Sequence, residues 1–259
     1  MLARALHVAV TVVLLSASHV YAQGGPPYFT NDPGTPGNRQ WEINIGFLPV
    51  PQTDQSTTRL PDLDLNFGVG DRVQLTLELG WLRHRAQPSP AEYGLSQDTI
   101  GIKWRPYGDD EGVALSVFPQ ASVNNPTSSV TRGVVPPGAS LTLPLEMSKT
   151  FGLLAVNGEA GYTIVQSGRN GWLAGVVAGH GRLIRHQKSS IEFDAEFYTA
   201  GDIGGEVTQK TLEGGVRFEV QPPFVILAMA GWSLPHSQGS LTAYFGLQLL
   251  LPPKPTDMR

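Results

Sequence analysis

The sequence predicts an all-β chain, a single antiparallel transmembrane up-and-down β-barrel of about twelve strands behind a cleaved signal peptide. Three observations carry the prediction. Apolar and polar residues alternate with period two along most of the chain. The 259 residues include 30 glycines and 21 prolines and are only 15% charged, which suits strands and turns over helices. The links between alternating segments are in turn short and long, as in a meander with tight turns at one end and loops at the other.

Residues 1–22, MLARALHVAVTVVLLSASHVYA, read as a signal peptide: Arg4 is the positive end, Ala5 to Leu15 the apolar stretch, and Val20 and Ala22 the small residues before cleavage. The apolar part is too short to span a bilayer, which takes about 20 residues. Residues 23–38 are polar and turn-rich, with Asn31-Asp32-Pro33-Gly34. They read as a periplasmic segment that dangles free or enters the lumen as a small plug. The barrel is expected over 39–251, and 252–259 form a tail.

Each strand justifies itself by alternation. WEINIGF sets Trp41, Ile43, Ile45 and Phe47 against Glu42, Asn44 and Gly46. DLDLNFGV and RVQLTLELGW continue it, with Leu63, Leu65, Phe67, Leu75, Leu77 and Leu79 opposite Asp62, Asp64, Asn66, Gln74, Thr76 and Glu78. TIGIKWR, SLTLPLEM, TLEGGVRFEV and LTAYFGLQLLL follow the same rule. In IEFDAEFYT, Ile191, Phe193, Ala195 and Phe197 share one face, and Glu192, Asp194 and Glu196 share the other. Weaker strands fall near 113–122, 151–165, 171–183 and 223–234. Short links are expected at Gly70-Asp71, Ser148 to Thr150 and Gln221-Pro222, and long ones at 49–58, 82–97, 123–138, 200–210 and 234–240.

A secreted or periplasmic soluble β-sandwich, acting as a binding or structural module, produces the same alternation with the apolar face turned inward. The barrel is favoured by strands of about ten residues, by the nearly unbroken apolar face, and by aromatics at strand ends. Trp41, Trp81, Trp104, Trp172, Tyr198 and Trp232 fit interfacial girdles. In a barrel Leu75→Arg meets lipid, whereas Thr76→Arg faces the lumen and is expected to be tolerated.

The interior face would then be lined by Glu42, Asp64, Glu78, Lys103, Arg105, Glu146, Glu159, Glu192, Asp194, Glu196, Glu213, Arg217 and Tyr244, with Asp62 and Glu219 beside them. That lining is net acidic, and acidic rings favour cations. Arg217 is the expected partner for a carboxylate of IEFDAEFYT.

No catalytic, metal or cofactor site is read from the chain. There are no cysteines, which excludes disulfides, thiolate metal sites and a Cys nucleophile. The formal charge of −4 and the lack of a basic stripe argue against nucleic acid. The histidines lack ligand spacing. His180 and His186 stand with Arg182, Arg185 and Lys188 in a basic cluster, read as facing headgroups or periplasm. The adjacent His236-Ser237 is a poor hydrolase pair. Glu192 and Asp194 lie roughly 7 Å apart on any alternating strand, without catalysis. The glycines of AVNGEAGY and AGVVAGHG read as sites of close contact or bending.

Beyond these patterns, GPPYFTNDPGTPGNRQWEINIGF resembles the opening of the meta-pathway phenol-degradation (MetA-like) family of porin-like outer-membrane transporters. Pro26, Pro27, Tyr28, Thr30, Asp32, Pro33, Trp41 and Glu42 carry the match, and Asn31 departs from it. YGLSQDTIGIKWR, FPQASVNNPT and AGWSLPHSQGSLTAYFGLQL are similar to later parts of that family. The resemblance implies outer-membrane localisation, passage of small solutes that include aromatic or hydrophobic compounds, no cofactor, and outer-membrane lipid, solute and the barrel assembly machinery as partners. The last strand ends on Leu249-Leu250-Leu251 in place of a terminal aromatic, with Phe245 the nearest.

Overall fold

The structure, a computed structural model, describes residues 25–51, 55–86, 88–109, 112–186, 189–205, 207–234 and 240–252. The signal peptide, most of the C-terminal tail, Lys188 and the His236-Ser237 pair lie outside the described residues, as do the side chains of the His180–His186 cluster.

Period-two sequences become strands throughout. The segments are β1 (Trp41–Pro51), β2 (Gln55–Val69), β3 (Val73–Ala86), β4 (Glu92–Leu95), β5 (Asp98–Tyr107), β6 (Val113–Val117) and β7 (Gln120–Val123). They continue as β8 (Ser140–Phe151), β9 (Leu154–Val165), β10 (Gly171–His186), β11 (Ser189–Asp202), β12 (Val207–Gln221), β13 (Phe224–Ser233) and β14 (Ser240–Leu251). All pair antiparallel in one sheet. β4 and β5 both pair with β3, and β6 and β7 both pair with β8, so each couple is one interrupted stave and the fourteen segments make twelve staves. β1 pairs with β14 from Trp41↔Leu251 to Phe47↔Phe245, which closes the sheet into a barrel.

The side chains are distributed inside out relative to a soluble protein. Ile100 and Leu212 are each 58% exposed and Phe245 62%, whereas Glu146 and Gln248 are fully buried. A sandwich would bury the first set against a second sheet; this chain has one closed sheet with its apolar face outward. Trp41 and Trp104 sit at the end that carries the tight turns, and Trp81 and Trp232 near the other, all half-exposed. Tyr198 corrects the expected girdle: it is buried inside, because its outward neighbour is Phe197. Residue type at a strand end does not reveal the face; the parity of the strand does.

The tight turns are as short as expected, with two displaced: Gln221 is still strand, so the last turn is Pro222-Pro223. Ser148 to Thr150 is strand, and the turn is Gly152-Leu153, where Gly152 adopts a φ of 64°. Gly70 does the same between β2 and β3, at a φ of 64°. The opposite links are mostly shorter than expected, because β1, β2, β3, β11 and β12 run on into sequence without clear alternation, such as QSTT in β2 and LRHRA in β3. In a closed sheet a polar strand end still finds its ladder partners, as Ser56↔Arg85 and Thr57↔His84 show. Residues 124–139 alone stay long. They fold back over the barrel mouth, where Val134 and Val135 pack on Leu82 with Val130 beside them.

Two features depart from a uniformly polar interior. FVILAMA of β13 is apolar on both faces, so Val225, Leu227 and Met229 point inward. They meet Val177, Tyr244 and Leu48 in an internal apolar patch. Thr76 is buried at 4% exposure and donates to Asn66 Oδ1 at 2.6 Å, so Thr76→Arg is not the tolerated change expected from alternation.

Ile100→Arg, on the outward face, is expected to cost about 2–4 kcal/mol in denaturant unfolding from lipid vesicles, against less than about 1 kcal/mol for Leu153→Arg in the turn. Equal costs at the two positions would contradict the lipid-facing belt.

Candidate functional site

The barrel interior holds a piece of its own chain. Residues 25–33 form a compact turn, closed by Gly25 N donating to Thr30 O at 2.7 Å and Tyr28 N to Gly25 O at 2.8 Å. Wall carboxylates accept its backbone N–H groups: Glu196 from Thr30 N at 2.6 Å and Phe29 N at 3.1 Å, and Glu159 from Asn31 N at 2.8 Å. Lys103 Nζ donates to the Asp32 carbonyl. A carboxylate inside a barrel needs donors, and here the segment's peptide groups supply them.

Tyr28 is the apolar pin of the segment. Its ring enters the patch of Val177, Val225, Leu227, Met229 and Tyr244, and its hydroxyl donates to the Asp194 carbonyl at 3.2 Å. Burial, with the charges of Asp194 and Glu196 adding, raises the phenol above its ordinary value and keeps it a donor. Phe29 packs on Tyr198 with ring centroids 5.2 Å apart. The wall is cut back to receive the segment. A Cβ on Gly175 would lie 1.9 Å from Thr30 Oγ1, and one on Gly215 would lie 2.5 Å from the Tyr28 hydroxyl. These glycines allow a close approach between the wall and the inserted segment, and at Gly215 also to the neighbouring strand, whose Ala228 carbonyl would lie 2.7 Å from an added Cβ.

From Gly34 the chain leaves along β2. Arg39 N donates to Gly68 O at 2.9 Å and Gly68 N to Gln40 O at 3.0 Å, while Thr35 Oγ1 donates to Asp71 O at 3.1 Å. The segment therefore occupies the β9–β13 side and crosses the end of the barrel beside the β2–β3 turn.

Every interior residue named from the sequence faces inward, but they fall into two groups. Glu42, Asp64, Glu78, Lys103 and Tyr244 border a cavity of about 510 Å³ between the segment and the β1–β3 wall. The others are committed elsewhere. Glu146 is fully buried, accepts from Ser116 Oγ and stands 3.4 Å from Lys103 Nζ. Arg217 lies 3.6 Å from Glu192 and donates to Gln248 Oε1 at 2.6 Å, so the expected cross-strand pair forms. Glu213 sits across from Glu196 in register. Arg105 donates to Asp71 O at 2.9 Å and covers the β2–β3 turn. Glu159, Asp194 and Glu196 hold the segment through side chain or backbone.

Along the cavity, Asn44 donates to Glu42 at 3.1 Å and to Asp64 at 3.0 Å, and Asn66 donates to Asp64 at 2.9 Å. Gln74 and Thr76 extend the network to Asn66. These amides line the cavity though charge alone did not single them out; their place on the polar parity of β1–β3 was the available signal, whereas Arg59 on the same wall reaches the cavity only through a register shift in β2.

No family model matches the chain, and no curated protein matches its sequence. Solved structures that share its fold include two outer-membrane proteins. An outer-membrane channel from Pseudomonas putida F1 is 12% identical with a TM-score of 0.55, covering 88% of this chain and 100% of that one. The beta domain of the Bordetella autotransporter BrkA is 11% identical with a TM-score of 0.54, covering 84% and 99%. The likeness is one of fold, and the fold is that of an outer-membrane β-barrel.

Seating of the segment is tested by the double variant Thr30→Cys/Gly175→Cys in a chain that otherwise has no cysteine. A Cβ on Gly175 falls 3.1 Å from Thr30 Cβ, close to the roughly 3.5–4.5 Å of a disulfide after a small adjustment. Mass spectrometry of the oxidised protein is expected to show the intramolecular bond; two free thiols would mean that the segment lies elsewhere.

Proposed function

We propose that the protein is a porin-like channel of the outer membrane, exported by its signal peptide and inserted by the barrel assembly machinery, that lets small solutes cross along the β1–β3 wall. The observation that carries this reading is the cavity of about 510 Å³ left beside the inserted segment. It reaches Trp41, Leu250, Ser148 and Thr150 at the end of the tight turns. A cavity of this size takes one small molecule. Passage needs no reacting group, only a wall whose hydrogen bonds and charges replace part of the solute's hydration.

The cavity borders are mixed. Glu42, Asp62, Asp64 and Glu78 make one side acidic, while Tyr28, Phe118 and Tyr244 offer aromatic surface. The acidic side favours cations and polar solutes. The aromatic surface, together with the sequence resemblance to the phenol-degradation transporters, supports aromatic compounds as solutes and membership of that family. The segment 25–36 acts as a fixed plug that narrows the lumen, and Glu196, Glu159 and Tyr28 are its fastenings.

Single-channel recording of the refolded protein in a planar bilayer under a salt gradient tests the reading. Small cation-preferring steps are expected. Glu42→Gln/Asp64→Gln/Glu78→Gln should abolish the preference. Glu192→Gln/Asp194→Gln/Glu196→Gln should instead enlarge the steps by freeing the segment. A correctly folded, heat-modifiable barrel that never conducts would refute the channel.

A further inference from the structure

We infer that Arg59 and Glu78 form the neck of the permeation path, where passing ions and solutes are selected; this rests on the channel reading above. Two interior cavities lie along the same wall. The inner one, about 510 Å³, is bounded by the inserted segment. The outer one, about 330 Å³, lies under Val134, Val135 and Pro136 of the folded-back loop. Among the described residues that line them, Arg59 and Glu78 alone are common to both. A solute that moves from one to the other passes these two side chains.

The backbone is built to place them there. Residues three apart on a regular strand face opposite ways. Yet Arg59 Nη1 and Asp62 Oδ1 are 3.4 Å apart. Between them the β2–β3 register jumps from Arg59↔Leu82 to Asp62↔Gly80, a bulge that contains Leu60 and Pro61. The extra residue turns both ends of the bulge inward and leaves Leu60 outward at 57% exposure. Bulges re-aim side chains in this way beside functional sites. Glu78 faces the same space from β3, in register with Asp64 on one side and Thr99 on the other.

The chemistry is that of a charge-balanced constriction. One guanidinium faces the carboxylates of Asp62 and Glu78. The Arg59 side chain is 42% exposed, so its head meets water as well as Asp62. Lys103, the other cation among the described residues bordering either cavity, is occupied by Asp32 and Glu146. Arg59 is therefore the positive charge that a passing solute meets at the neck, and the acid-to-base balance there sets the ion preference.

Cysteine accessibility is the direct test, because the chain has no native cysteine. Arg59→Cys, Glu78→Cys and the outward control Leu60→Cys are reconstituted in bilayers, and each is treated with a positively and a negatively charged thiosulfonate. Modification at 59 and at 78 is expected to reduce the single-channel current and to shift the reversal potential in opposite directions for the two reagents; modification at 60 should leave both unchanged. Arg59→Glu should move the reversal potential further towards cations, and Glu78→Lys towards anions. A conducting barrel whose current ignores complete modification at both positions, verified by mass, overturns the neck and leaves the channel standing. A wild-type barrel that does not conduct overturns both.

Discussion

Closure of the sheet is the constraint on which the rest of this structure depends. Lipid offers no partner for a backbone N–H or C=O, so a spanning sheet must leave no edge. The β1–β14 pairing removes the edge. Once closed, the sheet has one face towards hydrocarbon and one towards an enclosed space, and alternation stops being a matter of core and surface. The apolar parity of every strand is set by lipid, the polar parity by whatever fills the barrel. The interrupted staves β4/β5 and β6/β7 keep the same rule across their breaks, because their neighbours β3 and β8 run through uninterrupted.

A barrel of twelve staves encloses more space than its own side chains fill and less than a wide aqueous pore needs. The N-terminal segment takes up the difference on one side only. Its attachment inverts the usual arrangement of a buried charge. Glu196 and Glu159 are not balanced mainly by cations; they are satisfied by the peptide groups of Phe29, Thr30 and Asn31. Charge-assisted bonds of this kind are worth about 1.5–3 kcal/mol each when buried. Losing the segment would leave those carboxylates without these donors, which favours the seated state. The barrel and the segment therefore stabilise each other, and the space that remains lies along β1–β3.

The sequence made the fold legible because period two is a local property. Strands at 41–47, 62–69, 73–81, 99–105 and 191–199 appear where the alternation places them. The departures have different causes. Tyr198 shares the parity of Glu192, Asp194 and Glu196, a local sign that its residue type obscured. The inward face of β13 depends on what fills the lumen and the network around Thr76 on Asn66 of the adjacent strand, which no local pattern encodes. The bulges at Gly46/Leu48 and Arg59/Asp62 are register events; Pro61 inside a strand was their one visible sign. The interior carboxylates were identifiable as a set, but their division into segment-holding and cavity-lining groups was not. It follows from where residues 25–33 sit, and those contacts span well over a hundred positions of sequence.

Glycine shows most clearly how the two surfaces are matched. On sequence grounds the glycines of β10 and β12 are equivalent strand weakeners. In the barrel they are not equivalent. Gly214 faces outward and is exposed, whereas Gly215 and Gly175 lie under Tyr28 and Thr30, where a single methyl group would collide. One short stretch of the segment, Pro26 to Pro33, makes the contacts with Glu196, Glu159, Lys103 and the apolar patch. Shape at Gly175 and Gly215, acceptors at Glu196 and Glu159, and the apolar patch around Tyr28 would all have to change together for the segment to dock elsewhere. The asymmetric lumen, with one side filled and the other lined by amides and acids, is thus a property of the whole barrel and not of any one residue.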